Sequence, residues 1–481
     1  MKRPFGKTIP MLLLAAAVVA GGLAMARPMM AFAASSGTTI DMSDGTITDG
    51  TTGTGWTYSG NVYTIADGAS VTVEGDNQSP AASQRRIEVA ASATATITLN
   101  GVSITGLDNG QSPLLLNTGA NVTLILADGS INTLTAGGAA AGIQTTGATL
   151  TIDAQALGTG ALTANGNNMG AGIGGAGGDQ GGDGGNITIN GGDVTANGGS
   201  GGTGNSGGAG IGGGASNGIH GEAGGAGGTI HITGGTVHAI GGAGNNFGGG
   251  GAGIGGGGAT GGAPGGAGGD SGDIAITGNA DVTATGGKGG DTGSFATAGS
   301  GGAGIGSGGA GLDGSAGDLG TIIIGSTIAP NSTGGAGGAT NPAGTGSDGN
   351  AGAKIGKGGY AAGATTEATF YNIDASAGAG GTIALSGTFQ VNDGGHLTFT
   401  ITPDSGYAMD TVTDTTAGTQ GALSGATYAL SAVDADHAIV VAFALKALPP
   451  TSVPTLNAWA LILLTLMLGL FAGVAYRRRG M

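Results

Sequence analysis

The chain has 481 residues, of which 116 are glycine and none is cysteine, and its formal net charge at pH 7 is −16. Charged residues make up 9% and aromatic residues 4% of the sequence, a composition that excludes an ordinary globular enzyme as the default. All 29 acidic residues but only six basic ones lie in residues 34–446, whose charge of −23 excludes nucleic-acid binding, since that needs a basic surface.

The N-terminal segment has the composition of a secretory signal peptide. Three basic residues lie within the first seven, and an uncharged run follows over 9–26. Ala31 and Ala33 fit the small-x-small cleavage site, with Ala24-Met25-Ala26 as an earlier alternative. We therefore predict a signal peptide over residues 1–33 that signal peptidase removes. An uncleaved N-terminal anchor is the alternative.

Residues 34–94 are predicted to form an N-terminal β cap. Trp56, Tyr58 and Tyr63 cluster here. Exposed aromatic rings are a common platform for sugars, so these three residues are the candidate sugar-binding residues. Burial in the core of a small β domain is the alternative role for them.

Residues 95–358 are dominated by an internal repeat. Ile-x-Ile motifs begin at Ile187, Ile230, Ile274 and Ile322, at intervals of 43, 44 and 48 residues. Each motif places two isoleucine side chains on one face of a strand. A Gly turn, a second short strand, a Gly-rich insert and a Gly-Ile-Gly step complete each unit.

One such unit buries only a thin apolar line, so it needs neighbouring units to form a core. We therefore predict an all-β fold, a parallel β-helix whose glycine-rich inserts are loops outside the core. The period suggests roughly two coils of about 20 residues in each repeat. A propeller with blades of ~40–45 residues is the alternative, although each unit has too few strand-forming residues for four strands.

The strands before the repeat add a family resemblance. The runs 124–130 and 132–135, followed by the strand at Leu150, resemble bacterial β-helix carbohydrate-binding domains. The resemblance implies a pectate-lyase-like fold and binding of calcium and polysaccharide. A catalytic site of that kind needs a basic residue, and Lys288 is the only one between residues 150 and 350. We therefore predict that the protein is not an enzyme.

Aspartates in the glycine-rich part are the candidate metal ligands. Asp179, Asp183, Asp270 and Asp273 lie in or beside glycine turns, where carboxylate oxygens in flexible loops suit calcium. Residues 265–270 match the start of a nonapeptide calcium repeat. Turn formation is the alternative role of these aspartates. The histidines His220, His231 and His238 are expected to be solvated rather than metal-bound.

The segment 380–446 has fewer glycines and a different pattern. A Thr-Pro-x-x-Gly-Tyr turn begins at Thr402, and an Asp-His-x-Ile strand begins at Asp436. Together they resemble a bacterial surface repeat domain, which implies a small β-sandwich-like spacer. His437 has no nucleophile beside it in sequence, so we assign it a structural role.

The C-terminal segment 447–481 contains a sorting pattern. The motif Val453-Pro454-Thr455-Leu456 precedes an apolar run that contains Trp459 and ends before Arg477, Arg478 and Arg479. The run is long enough to cross a bilayer, and the arginines should stay cytoplasmic. The order of motif, helix and arginines resembles the IPTL-CTERM sorting signal of Gram-negative bacteria. It implies an exosortase-type protease as partner, a membrane-anchored intermediate, and transfer to the cell surface or beyond.

Two functions fit an exported chain of this kind. The first is an adhesin that binds extracellular polysaccharide; the second is a structural component of the envelope or biofilm matrix with no dedicated ligand. Aromatic rings on one solvent face would favour the adhesin, and aromatic rings buried as caps would favour the structural role. Ice binding by rows of threonine such as Thr94, Thr96 and Thr98 is a third idea that needs a flat face.

Overall fold

The computed structural model describes residues 38–79, 82–202, 205–217, 221–261, 265–292, 297–340, 347–360, 365–446 and 457–479. The described chain is mostly β-structure, with extensive parallel sheets and one C-terminal helix. The predicted signal peptide, with Ala31 and Ala33, lies outside the described residues. So do His220 and the motif residues Val453 to Leu456.

Short strands begin the described chain, and their buried faces carry aromatic and β-branched residues. They are β1 (Thr39–Asp41), β2 (Thr52–Gly53), β3 (Trp56–Ser59), β4 (Val62–Ile65), β5 (Ser70–Asp76) and β6 (Arg86–Val89). Strands β2, β3 and β4 pair antiparallel, whereas β1 and β5 already pair in parallel.

The body that follows consists of parallel strands only, apart from its last contacts. The strands are β7 (Thr94–Ile104), β8 (Leu114–Leu116), β9 (Asn121–Leu126), β10 (Ile131–Thr135), β11 (Ile143–Gln144), β12 (Thr149–Ala154), β13 (Ala161–Asn165), β14 (Ile173–Gly174), β15 (Asn186–Ile189), β16 (Asp193–Asn197), β17 (Ile211–Gly212), β18 (Thr229–Ile232), β19 (Thr236–Ile240), β20 (Ile254–Gly255), β21 (Asp273–Ile276), β22 (Asp281–Thr285), β23 (Ile305–Gly306), β24 (Ile322–Gly325), β25 (Asn331–Thr333) and β26 (Ile355–Gly356).

A smaller module and a helix complete the chain. The module contains β27 (Phe370–Ala377), β28 (Gly381–Ile383), β29 (Gly387–Asn392), β30 (Leu397–Pro403), β31 (Tyr407–Thr416), β32 (Ala422–Ser424), β33 (Thr427–Leu430) and β34 (His437–Leu445). It has its own apolar core and is largely antiparallel. It begins at Phe370, about ten residues before the predicted boundary, because β27 pairs with β29 and β34. The helix α1 spans Ala458–Arg478.

The parallel strands form three ladders, each made of equivalent strands from successive layers. The first ladder runs β5-β7-β9-β12-β15-β18-β21-β24. The second runs from the end of β7 through β10-β13-β16-β19-β22-β25. The third runs β4-β6-β8-β11-β14-β17-β20-β23-β26.

One repeat makes one layer, so the prediction of two coils in each repeat is wrong. Ile187 pairs directly with Ile230, Ile230 with Ile274, and Ile274 with Ile322. No coil lies between these partners. The number of residues in a layer is larger than a simple turn needs because each layer also carries long glycine-rich inserts.

The apolar core runs through the stack as the alternating patterns predicted. Every second side chain of the Ile-x-Ile strands is buried, as are the isoleucines of the short third-ladder strands from β11 to β23. The intervening residues of the first two ladders, such as Thr188 and Thr195, point away from this core. Stacking therefore converts one apolar line in each layer into a continuous core.

The glycine-rich inserts are packed segments rather than loose loops, which corrects the sequence-based expectation. Residues 206–216, around the strand β17, are buried throughout, and so are residues 298–310 around β23. They lie outside the main apolar core but form a second packed region beside it. We call the described insert segments on the two sides of each Ile-Gly strand the glycine arms, for example 198–202 with 205–210, and 213–217 with 221–228.

Hydrogen bonds in the glycine arms repeat every third residue. The N–H groups of Gly286, Gly289 and Thr292 donate to carbonyls of the next layer. The neighbouring N–H of Gly287 donates instead to the Gly251 carbonyl, and the Gly302 N–H donates to the Gly287 carbonyl. Three residues per turn is the period of a polyproline II helix, and where such helices pack together, as in collagen, glycine occupies the crowded positions.

The module closes one end of the body. Strand β24 pairs antiparallel with β29, and the Asn392 side chain accepts a hydrogen bond of 2.7 Å from the Ile322 N–H. In the last layer, the Glu367 carboxylate accepts hydrogen bonds from the N–H groups of Lys354 and Ile355, at 2.9 and 3.2 Å. These are the acceptors that a further layer would otherwise supply, so Glu367 terminates the third ladder.

Candidate functional site

The predicted sugar-binding aromatics form a buried cluster. The rings of Trp56 and Tyr63 meet edge to face at 5.4 Å, and those of Tyr58 and Tyr63 lie 4.8 Å apart. All three side chains are at most 5% exposed. A sugar stacks on an open ring face, so the prediction of a sugar platform at these residues is wrong. They cap the N-terminal end of the core.

Arg85 completes this aromatic cap. Its guanidinium lies 5.5 Å from the centre of the Tyr58 ring and donates a 3.1 Å hydrogen bond to the Met42 carbonyl. Burial raises the pKa of Tyr63 to about 12, although the charge of Arg85 opposes the shift. The cluster is therefore a packed structural unit with a neutral phenol at its centre.

The four predicted calcium ligands do not converge on one point. Within the described ranges, no three His, Asp or Glu side chains are grouped to hold a metal ion. The Asp183 carboxylate accepts a hydrogen bond from the Ala226 N–H. The Asp270 carboxylate accepts one from the Asp318 N–H, and the Asp273 carboxylate accepts one from the Thr321 N–H. Asp179 is exposed in a glycine arm. Three of these carboxylates therefore tie one layer to the next, which is a structural use of aspartate in glycine-rich turns.

The histidines fall into two groups. His231 and His238 point outward from β18 and β19, as expected for solvated residues. His437 is buried, and its Nδ1 lies 3.0 Å from both carboxylate oxygens of Asp414. Tyr428 donates a 2.6 Å hydrogen bond to the same carboxylate, and burial with this bond raises the pKa of Tyr428.

The His437, Asp414 and Tyr428 network contains no nucleophile other than the tyrosine, and all three side chains lie inside the module core. It joins β31, β33 and β34 from within the module. Sequence reasoning missed Asp414 and Tyr428, because neither lies near His437 in the chain and neither belongs to a recognisable motif.

The C-terminal sorting segment is the functional element that the sequence places best. Asn457 caps α1 by accepting a 3.0 Å hydrogen bond from the Ala460 N–H. The helix has 21 residues, a mean hydropathy of 2.3 and no buried part, which makes it long and apolar enough to cross a membrane. Trp459 and Tyr476 lie exposed near its two ends, and Arg477 and Arg478 occupy its last turn.

Aromatic residues and arginines are positioned here as a membrane interface requires. Rings at both ends of a span suit the headgroup regions, and clustered arginines remain on the cytoplasmic side. The helix makes no packing contact that would bury it in the rest of the described protein. It is therefore suited to lipid rather than to a protein core.

Comparison with known proteins identifies this same segment. Residues 451–479 match the IPTL-CTERM motif. No curated protein and no solved structure matches the chain. The motif marks the protein as a sorted, exported surface protein, associated with the membrane and processed by exosortase-type machinery.

Proposed function

We propose that the protein is a non-catalytic structural component of the cell envelope or surface matrix, built on a parallel β-helix and delivered by its C-terminal sorting signal. The observation that carries this proposal is the use of its side chains. The aromatic residues form a cap, the aspartates join layers, and the glycine arms pack against one another. Most of the chemically distinctive residues of the body thus serve to stabilise its fold.

The size of the body refines this proposal. The third ladder contains nine strands, and strands in a sheet lie about 4.8 Å apart, which gives a stack about 40 Å long. Such a body is a rigid block rather than a long fibre. The β-sandwich-like module, proposed from its turn and strand motifs, then separates the block from the membrane or from the cleaved C-terminus.

A second candidate function is polysaccharide binding by an adhesin, as the resemblance to β-helix carbohydrate-binding domains implies. One observation favours it. A groove of about 700 Å³ runs beside the corner between the first and second ladders and is lined by both polar and apolar residues. Pockets of 300–1,000 Å³ are typical of ligand sites.

The sorting part of the proposal is tested by fractionating cells that express the full chain with its exosortase-type protease. We expect the wild-type body outside the cytoplasm without α1. Pro454→Ala should accumulate as an uncleaved membrane form, because the protease reads the motif before the helix. Thr465→Ala, within the helix, serves as the control and should be processed normally. A body retained in the cytoplasm, or equal processing of Pro454→Ala, would refute the proposal.

A further inference from the structure

The groove follows the stacking direction across five layers. Its lining comes from the corner turns between first-ladder and second-ladder strands, from Ile125 in β9 to Asn279 between β21 and β22. The strands that flank these turns stack in register at about 4.8 Å, whereas the turns themselves differ in length. A polymer laid along the groove would cross one layer about every 4.8 Å.

One side of the groove is a fixed rim. The turn after β12 has six residues before β13, whereas the turn after β15 has three residues before β16. Asp128 holds the longer turn, since its carboxylate accepts from the Leu157 N–H at 3.1 Å and its N–H donates to the Gln155 side chain at 3.1 Å. Leu157 is nevertheless 77% exposed. The rim thus presents an apolar side chain on an anchored turn.

The floor of the groove is polar, and hydrogen bonds hold its side chains in place. Asn190 donates a 2.8 Å hydrogen bond to Asp153, and Thr233 donates a 2.8 Å hydrogen bond to Asn190. Gly191 and Gly192 lie in the turn beside this row and also line the groove. Asp193 is exposed and lines the same groove. The groove therefore offers oriented oxygen acceptors next to an apolar rim.

We propose that this groove binds a neutral polysaccharide chain lying along the stacking direction, a proposal that specifies the site for the second function above. The carboxylates of Asp153 and Asp193 can accept charge-assisted hydrogen bonds from sugar hydroxyls. Leu157 and Ile125 supply apolar surface for the C–H face of a sugar ring. The layer spacing is close to the length of one sugar unit in an extended chain.

Charge selects among polysaccharides. The exported part of the chain has a formal charge of −23, and the groove itself contains two carboxylates. An acidic polysaccharide would be repelled by this field. A neutral, hydroxyl-rich chain meets no such cost.

The test uses the full-length chain in detergent and measures its binding by affinity electrophoresis and calorimetry. The probes are a neutral glucan, galactan and mannan, and the acidic polymers alginate and hyaluronan. We expect at least one neutral polymer to bind and the acidic polymers to bind more weakly. Asp193→Ala should weaken that binding about tenfold through loss of a charged acceptor. Leu157→Ala should weaken it several-fold.

Matched controls separate the groove from general effects. Asp281 is exposed and occupies the register position of Asp193 two layers further along, outside the groove. Ile131 is 76% exposed and also lies outside it. Asp281→Ala and Ile131→Ala should leave binding unchanged. The proposal is overturned if no neutral polymer binds the folded wild-type chain, if an acidic polymer binds more tightly, or if the control variants lose as much affinity. None of these results would affect the sorting and structural role.

Discussion

At the scale of single residues, glycine acts as a packing residue in this protein. A Cβ atom on Gly287 would collide with the carbonyl oxygen of Gly242, and one on Gly302 with that of Gly251. Both collisions are with backbone, which cannot rotate away as a side chain can. The smallest residue is therefore needed at these positions for close approach of neighbouring segments, as on the axis of a collagen triple helix.

The glycine arms predict a sharp difference between two Gly→Ala substitutions. Gly287→Ala should lower stability by about 2 kcal/mol, the usual scale for overpacking. Gly191→Ala should change it by less than about 0.5 kcal/mol, because its Cβ would meet Ala154 at ordinary contact distance. Urea unfolding followed by circular dichroism measures both. Equal effects would show that the arms are not packed as described.

Tyr63 makes stability depend on pH in the alkaline range. Burial raises its pKa from 10.0 to about 12, so its contribution is fully present below pH 10 and is lost as the pH rises through 12. Between these values the unfolded chain releases a proton that the folded chain keeps. We expect Tyr63→Phe to reduce the slope of the unfolding free energy against pH over this range, by the equivalent of up to one bound proton. An unchanged pH profile would mean that the aromatic cap does not shield the phenol.

At the scale of elements, the strands were predictable and the glycine inserts were not. Alternation in Ile187-Thr188-Ile189 indicates a strand with one buried face, and the structure confirms it. The arms have no such alternation, and the Gly-Gly-x pattern is shared by flexible linkers and packed segments. Only hydrogen bonds between residues distant in the chain, such as that from the Gly287 N–H to the Gly251 carbonyl, distinguish the two.

The candidate sites were also only partly predictable from the sequence. The sorting segment was predictable because its helix, aromatic residues and arginines are contiguous in the chain. The burial of Trp56, Tyr58 and Tyr63 was not predictable, because it depends on strands that pair across the cap. The groove at Asp193 has no sequence motif, since its walls come from five separate layers.

Glu367 gives a prediction for the end of the third ladder. Glu367→Ala should leave the N–H groups of Lys354 and Ile355 without their acceptor, at a cost of about 1–3 kcal/mol. An unpaired edge also invites pairing with another chain. We expect a lower melting temperature together with self-association, measured by light scattering after size exclusion. Asp281→Ala, which removes an exposed carboxylate elsewhere, should produce neither effect, and a monomeric, fully stable Glu367→Ala would contradict the capping role.

At the scale of the whole molecule, the protein is a stack in which each repeat adds one layer to three ladders and two glycine arms to a second packed region. The apolar core and the arms both depend on the same register. A change in repeat length is absorbed in the arms, where the intervals between Ile230, Ile274 and Ile322 grow while their pairing is kept. The sorting helix takes no part in the packing of this block.

The most direct test of this layer arrangement is disulfide formation between Thr188→Cys and His231→Cys in a chain that has no cysteine of its own. These residues are register partners in adjacent strands, about 4.8 Å apart, and disulfides need Cα atoms about 4.4–6.8 Å apart. We predict rapid oxidation of this pair. The pair Thr188→Cys and Ala275→Cys, two layers apart at about 10 Å, should stay reduced. If the first pair fails to oxidise in the folded protein, or if both pairs oxidise equally, one repeat does not form one layer.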